Sequence, residues 1–353
     1  MNNETPQEEI TPEEELVQVE EFAEEEPAQP KRPLFEEIFL SPQEPRLRAG
    51  WRLVIQALLF ITLLKGFQYI VGYYLIGNIP SLEAYASVFS EIIMLFAVTG
   101  SVYVARTLLD QRSFASLGLK SDNRAWIDLA VGIGITALMM GIIFLIEWAF
   151  GWLKFEGFAW NLGAAKFLAP SILLSLGIFL IVGWQEELLY RGYWLQNLED
   201  GLNIYWAVGI SSLLFAAAHL GNPNFSIVSL IGLIVSSLFL TYAYTSTRRL
   251  WLPIGLHIGW NFFEGCVFGF PVSGMRTSSL LIHTATGPVF WTGGNFGPEA
   301  GLILLFALAI GTFFVWAYAQ TSAETTIALD DEVEETAAEP EELDELVESE
   351  NIG

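Results

Sequence analysis

Residues 168–198 read LAPSILLSLGIFLIVGWQEELLYRGYWLQNL. Residues 168–185 carry no charge, and about 20 apolar residues are enough for a helix to cross a bilayer. The last third is amphipathic and holds Glu186, Glu187 and Arg191. It therefore reads as a transmembrane helix that brings ionisable groups into the membrane. Outward from it, seven more apolar runs follow the same logic, at about 51–77, 82–109, 125–153, 204–220, 225–246, 250–270 and 300–320. The run at 204–220 is short for a span. The predicted fold is an all-α polytopic membrane protein of about eight transmembrane helices with a buried polar cavity.

The charge distribution supports this division. Residues 1–45 hold 14 acidic and two basic side chains, and residues 321–353 hold 13 acidic and none basic. The 46–320 stretch between them is close to neutral, with 13 acidic and 14 basic. The formal charge of −24 therefore belongs to two tails, 1–45 and 321–353, both predicted to be disordered. An acidic chain without a basic surface is excluded as a nucleic-acid binder that neutralises phosphates. One cysteine, Cys266, excludes an internal disulfide or a cysteine-based zinc site. The first 30 residues have no Lys or Arg and no apolar core, so no secretory signal is expected there.

Arg46, Arg48, Arg52, Arg106, Arg112, Lys120, Arg124, Arg191, Arg248 and Arg249 fall on one side if the N-terminus is cytoplasmic, against Lys154, Lys166 and Arg276 on the other. The positive-inside rule then puts both termini in the cytoplasm. The expected setting is a bacterial plasma membrane. SFASLGLK (113–120) reads as an interfacial turn. The connection 271–299, with its GPVFWTGGNFGPE, is long and Gly-rich and is expected outside. It fits a lid or binding loop and a plain connector equally well.

Charges inside spans are costly, and they mark function or a buried pair. Lys65 and Glu91 lie at similar depth on neighbouring spans and are expected to pair. Glu147 is close enough to a span end to snorkel. The other ionisable groups fall into three patterns: Glu186-Glu187 with Arg191, Phe215 with His219, and His257 with Asn261, continued by Glu264. Residues four apart share a helix face, so Glu187 and Arg191 can pair along their own helix. Glu186 lies about 100° round and points elsewhere. At ~1.5 Å per residue, Glu186, His219 and His257 sit ~20, ~24 and ~17 Å from the cytoplasmic ends of their helices, so the three can meet near mid-membrane.

Two chemistries suit such a cluster. Glu186, helped by His219, takes a proton from water, and His257 with Asn261 donates hydrogen bonds to the oxyanion of a tetrahedral intermediate. Alternatively, Glu186, His219 and His257 hold a divalent metal such as zinc that activates the water. Asn is a poor zinc ligand and no HExxH occurs, so the first uses Asn261 better. His283, expected in an exposed loop, and Cys266, expected in helix packing, receive no role.

EExxxR, FxxxH and HxxxN in that order, on three spans, resemble the CPBP (Abi) intramembrane proteases, a group that includes the type II CAAX prenyl endopeptidases. The likeness covers about residues 170–265. It implies an intramembrane endopeptidase with Glu186 as catalytic glutamate, Glu187 as its partner, Arg191 orienting the pair, His219 assisting water activation, and His257 and Asn261 forming the oxyanion site. It implies no cofactor, with zinc as the minority alternative. The implied partners are the lipid bilayer and a membrane-embedded or lipidated protein or peptide substrate. A non-catalytic adaptor using the same cavity is the alternative reading. A proton-coupled transporter is disfavoured, because no two matching halves carry Gly/Pro-broken spans.

Overall fold

A bilayer offers no water to unpaired backbone groups, so apolar runs must satisfy their hydrogen bonds within helices. The computed structural model describes residues 33–42, 44–162 and 165–338. Residues 1–45 form one unit, whose described part holds a short helix, α1 (Leu34–Phe39). Residues 46–353 form the other. It contains α2 (Ala49–Tyr69), α3 (Ala86–Val104), α4 (Asn123–Ala149), α5 (Ala165–Glu187), α6 (Leu195–Gly201), α7 (Ile204–Ala218), α8 (Ile227–Thr247), α9 (Trp251–Asn261), α10 (Val289–Thr292) and α11 (Ile303–Ala338). Wider π turns continue α2, α3, α5 and α9, over Ile70–Ile76, Ala105–Leu109, Leu188–Trp194 and Phe262–Phe268.

Among the described residues, six stretches are long and apolar enough to cross a membrane: Ala49–Ile76, Ser81–Leu109, Asn123–Ala149, Lys166–Gly201, Ile227–Thr247 and Ile303–Thr321. The other two expected segments are helical but shorter, α7 and α9 with its π turn. The chain is an all-α polytopic membrane protein. Leu58, Phe96, Leu145, Leu173 and Phe306 stand exposed on the spans, where lipid rather than water is the solvent. The last helix carries on to residue 338, through the first part of the acidic stretch 321–353. Residues 1–32 and 339–353 of the two expected tails lie outside the described residues.

Polar side chains cap the starts of three of these helices. Asp122 accepts from the Ala125 N–H ahead of α4, Asn203 from Tyr205 and Trp206 ahead of α7, and Ser226 and Ser229 cap α8 reciprocally. The expected interfacial turn is a 3₁₀ turn, Phe114–Leu117, which buries Leu117. It ends at Gly118 with φ +97°, where the Leu250 N–H reaches the Gly118 carbonyl at 2.9 Å. A side chain there would meet the Arg248 and Leu250 backbone, so glycine is needed twice over.

The placement of α9 rests on small residues. A Cβ on Gly132 of α4 would come 2.6 Å from the Leu252 carbonyl. One on Gly255 would meet the Leu129 backbone, and one on Gly259 the Thr136 hydroxyl. On its other side, a Cβ on Gly183 of α5 would come 2.6 Å from Ile258 Cγ1. Without a hydrophobic drive between helices in lipid, such close approach is what holds them together. At the far end of α5, buried Asp110 accepts from Arg52 and Arg106, both at 2.9 Å, and from Tyr193 and Asn197. This fixes the π turn and α6 against α2 and α3. A buried carboxylate is tolerated when it is paired in this way.

Several expectations are corrected. A two-stranded antiparallel sheet, absent from the sequence reading, pairs β1 (Leu153–Phe158) with β2 (Leu281–Ala285), with a bulge between Phe155 and Gly157. It anchors the 271–299 connection, which also bonds through Thr286 and Gly287 to the Trp152 carbonyl. His283 is therefore not in an exposed loop but sits half-buried in β2, against the rings of Phe144 and Phe270. Glu147 does not snorkel, because its side chain is buried. Lys65 and Glu91 do not pair. Lys65 is exposed and donates to Gln68, while Glu91 accepts from Gln185 at 3.0 Å. Similar depth did not bring their side chains to one azimuth.

Candidate active site

Arg191 is fully buried and fixed from three directions. Its Nη1 donates to Glu187 Oε1 at 2.8 Å, one turn back along the same rod. Its Nη2 donates to the Ser237 hydroxyl at 2.7 Å and to the Ser237 carbonyl at 3.2 Å, both on α8. Its guanidinium carbon lies 4.4 Å from the centre of the Phe215 ring on α7. Planar, always charged and rich in donors, arginine suits such a buried junction better than lysine.

Glu187 is equally buried, and its Oε1 also takes a hydrogen bond from His257 Nδ1 at 2.7 Å. A carboxylate only accepts, so the His257 proton is assigned to Nδ1 and Nε2 is left facing Glu186. Glu186 Oε2 lies 3.9 Å from that Nε2. This is too long for a direct bond and suited to two groups that share one small oxygen between them. Unlike Glu187, the Glu186 side chain is partly exposed, at 23%. The two neighbouring carboxylates thus do different things: Glu187 is clamped, and Glu186 sets a buried oxygen without a hydrogen-bond partner among the described residues beside an imidazole.

His219 closes α7, half-buried, with Nδ1 2.9 Å from the Phe215 carbonyl. A carbonyl accepts, so Nδ1 carries the hydrogen and Nε2 keeps its lone pair. Phe215 is the common wall of the two histidines, its ring centre 5.1 Å from that of His219 and 6.1 Å from that of His257. Asn261, also buried, stands one turn beyond His257 on the same face of α9.

Glu187 directly joins Arg191 and His257, Glu186 stands 3.9 Å from His257, and His219 lies on the other side of the Phe215 ring. Both motif helices turn from α to π right after their polar groups, α5 after Glu187 and α9 after Asn261. Such wide turns are frequent at functional sites. The widened backbone at Tyr190 leaves a carbonyl that takes the Ser211 hydroxyl of α7 at 2.9 Å.

Among the described residues, no group of three His, Cys, Asp or Glu side chains is arranged to hold a metal ion. His257 Nδ1 is taken by Glu187, and His219 Nδ1 is turned to its own helix. Both bonds leave Nε2 as the free ring nitrogen, and Glu186, His219 and His257 are not gathered as a ligand group among the described residues.

Residues 167–263 match the type II CAAX prenyl endopeptidase Rce1-like family. The matched stretch runs from α5 to just past α9 and contains all six motif residues. It agrees with the resemblance to the CPBP intramembrane proteases, and the Rce1-like family is a family of proteases. No curated protein and no solved structure matches the chain.

The sequence reading did not single out Glu299 or Ser237. Ser237 lies in an apolar span among other small polar residues, with nothing in its spacing to mark it as an Arg191 partner. Glu299 belongs to the Gly-rich connection and is nonetheless buried. Burial pushes its carboxyl up from the ordinary range, while the Ser273 and Trp260 donors oppose that shift.

Proposed function

We propose that this chain is an intramembrane endopeptidase hydrolysing a peptide bond in a membrane-associated or lipidated protein or peptide. The observation that carries the reading is the division of labour between adjacent glutamates. Glu187 is held by Arg191 and His257, while Glu186 stands 3.9 Å from His257 Nε2 with its oxygen uncommitted among the described residues.

In the proposed reaction, a water between Glu186 and the imidazoles gives its proton to Glu186, assisted by His219 Nε2, as it attacks the scissile carbonyl. The carbonyl oxygen gains negative charge and is met by hydrogen bonds from Asn261 and from the Nε2–H of His257, which donates as the imidazolium paired with Glu187. The Glu187 bond to Nδ1 holds the His257 ring so that its other nitrogen faces the reacting atoms. Glu186 then passes its proton to the departing amine. Each polar group has one task, and none requires a metal. We place both termini in the cytoplasm and the chain in a bacterial plasma membrane.

The test is substrate trapping with the full chain. Wild type and Glu186→Ala are expressed in parallel, and membrane proteins that accumulate uncleaved beside the variant are identified by in-membrane crosslinking. Purified wild type reconstituted in liposomes then cleaves the trapped species and Glu186→Ala does not. Normal turnover by the Glu186→Ala sample overturns the reading. Partner capture that survives loss of Glu186, His219 and His257, with no cleavage by wild type, favours an adaptor.

A further inference from the structure

The connection after α9 leaves the membrane-spanning rods, forms β2 and α10, and returns buried. Its last turn, Pro298–Ala300, is buried at all three residues. It packs on α8 so closely that a Cβ on Gly232 would overlap the Glu299 carbonyl. This contact fixes the backbone of Glu299 and aims its side chain inward.

That side chain closes a chain of hydrogen bonds between the two histidine-bearing elements. The Asn222 N–H bonds the His219 carbonyl at 3.0 Å, in the turn that follows α7. The Asn222 amide donates to the Ser273 carbonyl at 3.0 Å. The Ser273 hydroxyl donates to Glu299 Oε2 at 2.5 Å. On the other oxygen, Trp260 Nε1 donates to Glu299 Oε1 at 3.2 Å. Trp260 lies three residues after His257, on the same stripe of α9. Both imidazoles are within electrostatic reach of the Glu299 carboxyl, and so is the buried carboxyl of Glu264.

We propose that Glu299 is a positioning residue of this site, delivered by the connection between α9 and α11 and acting through His219 and His257. Where Glu187 bonds the His257 ring directly, Glu299 acts from the far side through Trp260 and Ser273, which hold the two histidine-bearing elements, and through its charge on the imidazoles. Its chemical meaning rests on the protease reading above, but its test does not require cleavage.

The chain has three histidines, so ring signals of histidine-labelled full-length protein in lipid nanodiscs can be assigned by single substitutions. At fixed pH, Glu299→Gln is expected to move the ring signals of His219 and His257 and to leave His283 in place. Glu299→Asp, which keeps the carboxylate, is expected to restore much of the wild-type pattern. Ser273→Ala, which removes one donor and leaves the acid, should move the same two signals by less, and it serves if Glu299→Gln does not fold. Unmoved His219 and His257 signals in a folded variant overturn the proposal, as does equal movement of all three. In the cleavage assay, Glu299→Gln should lower kcat about tenfold or more with little change in KM. An unchanged kcat overturns it too. Loss of cleavage in wild type would instead count against the protease reading, and the ring signals would still decide the role of Glu299.

Discussion

His257 Nδ1 and Arg191 Nη1 meet on a single oxygen, Glu187 Oε1, at 2.7 and 2.8 Å. One oxygen thereby ties α9 to the π turn after α5. Because Arg191 also reaches α8 and stacks on α7, four elements share this junction. A site assembled this way fails as a unit when its central pair is broken.

Arg191→Ala should therefore cost about 3–5 kcal/mol, the range for removing one partner of a buried pair and leaving the other charge stranded. Arg191→Lys should recover little of that, because one ammonium cannot serve Glu187, Ser237 and the Phe215 face together. Thermal unfolding in detergent measures both. A loss below about 1 kcal/mol for Arg191→Ala would mean that the junction holds nothing together.

The two glutamates should separate in stability and activity. Glu186→Gln is expected to leave the unfolding temperature near wild type and reduce cleavage by about 10²–10⁴-fold, as for loss of a general base. Glu187→Gln should lower both. If Glu187→Gln is stable and only Glu186→Gln unfolds, the roles assigned here are reversed.

Asn261→Ala is expected to lower kcat by about 10²–10³-fold, the usual loss for one oxyanion donor, with KM little changed. A rise in KM at constant kcat would make Asn261 a substrate-binding group instead.

Gly255→Ala inserts a methyl against the Leu129 backbone, which has no flexible side-chain end to move aside. Overpacking of this kind costs about 1–3 kcal/mol. Since His257 is two residues on, cleavage should fall as well, although residue 255 takes no part in chemistry. Unfolding temperature and turnover, measured on the same sample, should drop together.

Outside the spans, the Arg249 guanidinium beside Asp122 holds the Asp122 carboxyl below its ordinary value. A lowered folded value means that this contribution is complete above the unfolded value of about 3.9 and is lost as pH falls through the folded one. The gap in unfolding temperature between wild type and Asp122→Asn should be constant near neutral pH and close below about pH 4. A gap that widens on acidification would contradict this sign.

The readable features of the sequence were those with a period. Apolar runs placed the helices within a few residues, and the i, i+4 spacing of Glu187 and Arg191 translated directly into contact. What resisted reading lacked a local signature. The pairing of Phe155 with His283 joins short runs far apart in the chain, one of them interrupted by Gly157. Glu299 is brought in by a Gly-rich turn whose path depends on tertiary contacts with Gly232. Lys65 and Glu91 show the limit of depth as a guide, since two groups at one height can still face different neighbours.

The π turn that begins at Leu188 gives one continuous rod two separate aims. Just ahead of it Glu187 meets Arg191 and His257; late in it and beyond it Tyr193 and Asn197 reach Asp110. An engineer who copied EELLYR onto a regular helix would reproduce the letters and lose that offset, so any transplanted version of this centre must bring its backbone irregularity along.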